Sequence, residues 1–77
     1  MDFLYPLTEL TANKSATVHS IICGGEMRRR LQDIGITDGT KIQCLQKSPY
    51  GDMTAFLIRG AVIALRSEDA ENILVCN

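Results

Sequence analysis

Apolar and polar residues change places in short blocks along this chain, and in most blocks the spacing is that of a strand. Ser15–Cys23 is rich in β-branched residues and predicts the first strand, with Ala16, Val18 and Ile22 on one face and Thr17, His19 and Ile21 on the other. Gly24-Gly25 ends it. The next block changes period: Met27, Leu31 and Ile34 fall at i, i+4 and i+7, a stripe along one side of a short helix. Glu26 lies near the helix N-terminus, where the backbone dipole favours an acid. Glu26–Arg30 and Arg29–Asp33 are spaced to pair along the helix, and Gly35 suits the position just beyond its end.

Period two then returns. Asp38-Gly39 marks a turn into a strand at Thr40–Lys47, with Ile42 and Cys44 on one face. Ser48-Pro49-Tyr50-Gly51-Asp52 is the strongest loop signature in the chain. Met53–Arg59 is a third strand, Gly60 a tight turn or bulge, and Ala61–Leu65 a fourth strand. Ser67 is placed to cap a short C-terminal helix with Glu68 and Asp69 in its first turn, and Ile73-Leu74-Val75 predicts a fifth strand. Upstream, Tyr5–Leu10 reads as one helical turn with Pro6 at its first position, followed by a turn over Thr11–Lys14.

Five short strands cannot build two packed sheets, so closure into a partly open barrel is the economical way to hide strand edges. The expected architecture is mainly β (α+β). It is one SH3-like domain over residues 1–77, with a short helix inserted after the first strand and another near the C-terminus. A chain of 77 residues buries only about 60% of the surface its unfolded form exposes. It holds two Tyr, two Phe and no Trp, so aliphatic side chains must fill the core.

Charge narrows the function. Eight basic and nine acidic residues leave a net charge of −1, which does not suit a domain whose main partner is nucleic acid or an anionic membrane surface. The longest purely apolar run, Ala61–Leu65, is far short of the roughly 20 residues that span a bilayer. The N-terminus has no basic stretch followed by a long apolar one, so no signal peptide and a cytoplasmic location are expected.

Catalytic chemistry finds little support. His19, the single histidine, falls inside a predicted strand, and nothing in its spacing supplies a nucleophile and an orienting group. Gly24-Gly25 precedes a helix but lacks the further glycines and the lysine of a phosphate loop. Cys23, Cys44 and Cys76 are odd in number, widely spaced and set among apolar residues, as expected of reduced structural thiols. No CxxC or HxxxH pair marks a structural zinc site, although a weak ferrous site of carboxylates and His would leave no signature.

Two features suit binding. With Met27 and Leu31 facing the core, Arg28 and Arg29 point to solvent while Arg30 flanks the buried stripe. They form either a solvated face held by ion pairs or a docking surface for acidic groups. Tyr50 either contacts a partner from an exposed tip or folds back over the barrel mouth.

The run Arg28-Arg29-Arg30-Leu31, then Asp33-Ile34-Gly35-Ile36, then Gly39-Thr40, resembles the FeoA family of small ferrous iron transport proteins. Leu7-Thr8-Glu9-Leu10, the Pro49–Asp52 loop, Gly60, and Ala64-Leu65-Arg66 with Glu68 and Ala70 continue the likeness in register. The resemblance implies a non-enzymatic cytoplasmic accessory, monomeric in isolation. It would dock on the cytosolic GTP-binding part of the FeoB permease and so be recruited to the inner face of the membrane. The alternative it carries is a transition-metal module, binding ferrous ion weakly, like the SH3-like C-terminal domain of metal-dependent repressors. No cofactor is required on either reading, and no ligand set for a metal is assigned. The candidate partner-binding residues are Arg28, Arg29, Pro49, Tyr50, Gly51 and Asp52. Met27, Leu31, Ile34, Gly35, Gly39 and Gly60 are the expected structural frame.

Overall fold

The computed structural model describes residues 3–77. Six strands form one antiparallel sheet in the order β1-β6-β2-β3-β4-β5. They are β1 (Tyr5–Pro6), β2 (Ser15–Ile21), β3 (Lys41–Lys47), β4 (Met53–Ile58), β5 (Ala61–Arg66) and β6 (Ile73–Cys76). Helix α1 (Gly25–Asp33) follows β2, and the single turn α2 (Ser67–Ala70) follows β5. The fold is the SH3-like one expected, with one more strand than the pattern indicated.

The extra strand corrects the reading of the N-terminal segment. Tyr5 and Pro6 pair with Val75 and Leu74, and the helical turn is a 3-10 turn confined to Leu7–Glu9. Pro6 is extended (φ −69°, ψ 147°) and lies on an edge strand, where its missing N–H costs no ladder bond. Leu7 and Leu10 are buried, so the turn plugs one end of the core.

A bulge corrects the first-strand faces. Val18 pairs with Val75 and Ser20 with Leu74, leaving His19 as the extra residue. One surplus residue shifts a period of two by one place. Ala16 and Val18 therefore face the core before the bulge and Ile21 faces it afterwards, while Ile22 is 58% exposed. A second bulge at Leu45 separates the pairs Cys44↔Phe56 and Gln46↔Ala55.

Strands β2 to β6 add buried side chains to one continuous core, whose fully buried members include Val18, Ile42, Phe56, Ile58 and Val75, and Tyr5 of β1 packs against it. Helix α1 is joined to that core differently from the expected Met27–Leu31–Ile34 stripe. Leu31 is buried, Met27 is half-buried, and Ile34 is 37% exposed. The helix stops at Asp33, so Ile34 no longer follows the helical phase. Gly35 (φ +100°) turns the chain into a Schellman motif, with Gly35 N–H donating to Gln32 O (3.0 Å) and Ile36 N–H to Leu31 O (3.0 Å). Ile36 is completely buried, in the same core as Leu31. Each such burial is worth roughly 1.5–3 kcal/mol, against about 0–1 for a surface ion pair, so this clasp holds α1 in place.

Candidate docking site

The end of the helix is fastened by Arg59 to the turn after β4, the strand that pairs with β3. Arg59 (φ +51°) and Gly60 (φ +84°) make the two-residue turn between β4 and β5, the left-handed geometry that matches hairpin twist. The Arg59 Nε–H donates to Gly35 O (3.1 Å), and an Nη2–H reaches Thr37 Oγ1 (3.2 Å) and Thr40 Oγ1 (3.3 Å). Thr40 is buried, and its hydroxyl also lies 3.3 Å from Gly35 O and 3.0 Å from Thr37 Oγ1. A Cβ on Gly35 would sit 3.2 Å from Arg59 Cδ, so both positive φ and close approach demand glycine there. Arg59 escaped the sequence reading because its partners lie about twenty residues away. The two-residue turn that presents it was visible only as a Gly60 break.

The arginine run divides its work. Arg28 is exposed, as expected, but it is not free: its Nη1–H donates to Ile21 O (2.9 Å), tying the helix back to the end of β2. Arg30 pairs with Asp69 of α2 (3.5 Å). The other ion pair among the described residues is Arg66–Glu68, so the expected Glu26–Arg30 and Arg29–Asp33 pairs do not form. The Asp69 carboxylate is largely covered by protein, its side chain 18% exposed, and Arg30 is the cation that reaches it. Arg29 remains exposed.

The β3–β4 loop is held from within and from α2. Ser48 Oγ–H donates to Asp52 Oδ1 (2.6 Å), Gly51 N–H to Ser48 O (3.0 Å) and Ser48 N–H to Met53 O (2.8 Å). Ser67 does not cap α2 with its hydroxyl; it donates that O–H to Gly51 O (2.6 Å) and its N–H to Asp52 O (2.9 Å). The Ser48 hydroxyl, followed by nearby backbone N–H groups, holds the Asp52 carboxyl below its ordinary pKa. Tyr50 is 91% exposed, which decides between its two orientations.

Helix α2 therefore joins the two candidate regions, through Arg30–Asp69 on one side and Ser67–Gly51 on the other. Asn72, just beyond α2, donates its Nδ2–H to Glu68 O (2.8 Å) and to Met27 Sδ (3.2 Å). Between loop and α2 runs an open cleft lined by Gly51, Asp52, Met53, Arg66, Ser67 and Glu68.

The donor set does not fit a metal. Among the described residues no three His, Cys, Asp or Glu side chains gather around a common point. Cys23, Cys44 and Cys76 are free thiols; Cys44 is buried, and that burial raises its pKa and keeps the proton on. His19 is exposed, and among the described residues its ring engages Ser20 Oγ (3.2 Å).

Residues 5–76 match the FeoA domain family. This chain belongs to the FeoA family. Among solved structures it is similar to a FeoA-like protein from Clostridium acetobutylicum, at 35% identity and a TM-score of 0.90 over 97% of this chain and 87% of that one. It is similar also to the FeoA protein from Chlorobium tepidum, at 35% identity and a TM-score of 0.85 over 92% and 68%. FeoA from Stenotrophomonas maltophilia, solved in complex with zinc and described as a prokaryotic SH3 domain protein, is 27% identical with a TM-score of 0.80 over 91% and 87%. No curated protein sequence matches this chain. FeoA proteins are small non-enzymatic accessories of ferrous iron transport. Among the described residues no helix is long and apolar enough to cross a membrane.

Proposed function

We propose that this FeoA-family chain is a one-domain cytoplasmic adaptor, monomeric alone. It docks on the cytosolic GTP-binding part of a FeoB-type permease at the inner face of the membrane and modulates ferrous uptake. The observation that carries the reading is Tyr50, presented almost wholly to solvent from a loop whose backbone is bonded on both sides. Rigid aromatic side chains lose little conformational freedom on binding and dominate contact energies. Arg29 supports it as an exposed guanidinium suited to bidentate carboxylate contacts, with Pro49, Gly51 and Asp52 shaping the loop. Arg28 contributes by fixing the helix that carries Arg29.

Titration of the chain against the FeoB cytosolic domain, with and without GTP, tests the proposal. Binding that Tyr50→Ala and Arg29→Glu each weaken at least about tenfold supports it. No binding in any nucleotide state ends it. The second reading, direct binding of ferrous ion, draws on the zinc complex of the Stenotrophomonas maltophilia protein. Anaerobic calorimetry with ferrous salt checks it, and the scattered donors of this chain predict no site tighter than about millimolar.

A further inference from the structure

The face of the sheet turned away from the core carries a groove of about 440 Å³. Its lining includes Ser15, Lys41, Gln43, Leu57 and Arg59. Strand alternation puts them there: Ala16, Ile42, Cys44, Phe56 and Ile58 are buried, so Ser15, Lys41, Gln43 and Leu57 take the opposite face. Gln43 stands in the middle of one cross-strand row, with Ser15 opposite it on β2 and Leu57 opposite it on β4. Lys41 lies two residues along β3 from Gln43, and Arg59 two residues along the chain from Leu57. The charged end of the groove is therefore about 7 Å from its half-buried apolar floor, Leu57.

Two cations and no acid line this groove, whereas the clefts beside α2, α1 and the 3-10 turn each mix acids with bases. Arg59 is held, but only by neutral acceptors: the Gly35 carbonyl on Nε and the Thr37 and Thr40 hydroxyls on Nη2. Those bonds fix the guanidinium without cancelling its charge, and they leave Nη1 as its remaining donor. Among the described residues Lys41 makes no ion pair or side-chain hydrogen bond, and neither do the side chains of Gln43 and Ser15. Asp38, the acid nearest Lys41 in sequence, pairs with neither cation. A fixed cation in a concave site raises the local concentration of anions and costs little to order when one binds.

We propose that this groove binds a small organic carboxylate with an apolar tail, of the class of the N-acyl amino acids. The two donor groups left at the charged end, Lys41 Nζ and Arg59 Nη1, match the two oxygens of a carboxylate. The tail lies on Leu57, and the Gln43 amide and Ser15 hydroxyl take the polar middle of the ligand. None of these residues belongs to the proposed docking set, so the site stands or falls independently of the adaptor reading.

The test is nuclear magnetic resonance of the isotope-labelled chain, titrated separately with N-acetylleucine, neutral N-acetylleucinamide and inorganic phosphate. N-acetylleucine should shift the amides of Lys41, Gln43 and Leu57 and saturate with a Kd of about 1–10 mM. The neutral amide and phosphate should each bind at least about tenfold more weakly, since one lacks the charge and the other the tail. Lys41→Gln, at an exposed strand position, should weaken N-acetylleucine about tenfold with native amide dispersion, and Lys41→Arg should keep most of the binding. Leu57→Thr should weaken N-acetylleucine and leave the response to phosphate unchanged. Shifts that do not saturate by about 100 mM, or that centre on Arg29 or Tyr50, overturn the site. So does equal binding of the neutral amide, or of phosphate, which would show a surface that reads charge alone. A capped peptide with an internal Glu-Leu pair decides the source of the carboxylate. If it binds as tightly as N-acetylleucine, the groove takes a protein side chain and the small-ligand site falls.

Discussion

The turn after α1 and the loop after β3 are both knotted by local hydrogen bonds, yet they do opposite things with their side chains. Between Ile34 and Thr40 the bonds fold Ile36 completely out of water and take in Arg59 from the β4–β5 turn. Between Ser48 and Asp52 the bonds leave Tyr50 fully displayed. The first connection is part of the core; the second is a mount. Backbone rigidity is therefore no guide to purpose here, and what separates the two is whether the apolar residue at the apex faces in or out.

The largest expected break in that contrast is Ile36→Ala. It opens a cavity in the core that Ile36 shares with Leu31 and should cost about 2–5 kcal/mol, seen as a fall of about 10 °C or more in Tm. A loss smaller than that of an exposed substitution would show that Leu31 alone anchors the helix. Next is Gly35→Ala, which imposes a Cβ at φ +100° and against Arg59 Cδ, and should cost about 1–2 kcal/mol in denaturant unfolding. Adding Arg59→Ala should recover the contact part of that penalty but not the backbone part, and full additivity of the two changes would deny the close approach.

Acid titration probes the loop. Because the folded pKa of Asp52 lies below the ordinary 3.8, its contribution is complete above that value and is lost as the pH falls through the lowered one. The loop amides of Gly51 and Asp52 should exchange faster once the pH has fallen through that lowered value, and in Asp52→Asn that pH step should vanish. Smallest in stability is Tyr50→Ala, at under about 0.5 kcal/mol, since the side chain touches little of its own protein. A larger loss would mean that Tyr50 serves the fold as well as a partner.

Strands β2 to β4 were legible from a period of two over most of their length, and β5 and β6 from short apolar runs between turn residues. β1 was not, because two residues ending in Pro6 carry no period at all. The inverted faces at Ile21 and Ile22 were signalled by the broken alternation around His19, but only pairing with Leu74 and Val75 shows that the break is a bulge. Gly35 marked the stop of α1. Extending the apolar stripe to Ile34 assumed a helix that continued, whereas the apolar residue following the glycine is the one that returns to the core. The charge pairs failed for a different reason: spacing along one helix says nothing of Asp69, nearly forty residues on, which takes Arg30. At the candidate site, loop and arginines were visible as separate features. Their connection through α2 depends on Ser67, whose hydroxyl was expected to cap its own helix and instead holds Gly51.

The place of β6 between β1 and β2 has a consequence for how the protein is made. The meander β3–β4–β5 can pair as it leaves the ribosome, since each strand follows its neighbour with a short turn between. β2 can join it along β3, but its other edge and the whole of β1 wait for a strand that comes some fifty residues after β2, and until then Val18 lacks its partner Val75. The sheet thus stays open between β1 and β2 until β6, the last of its six strands in sequence, is available to close it.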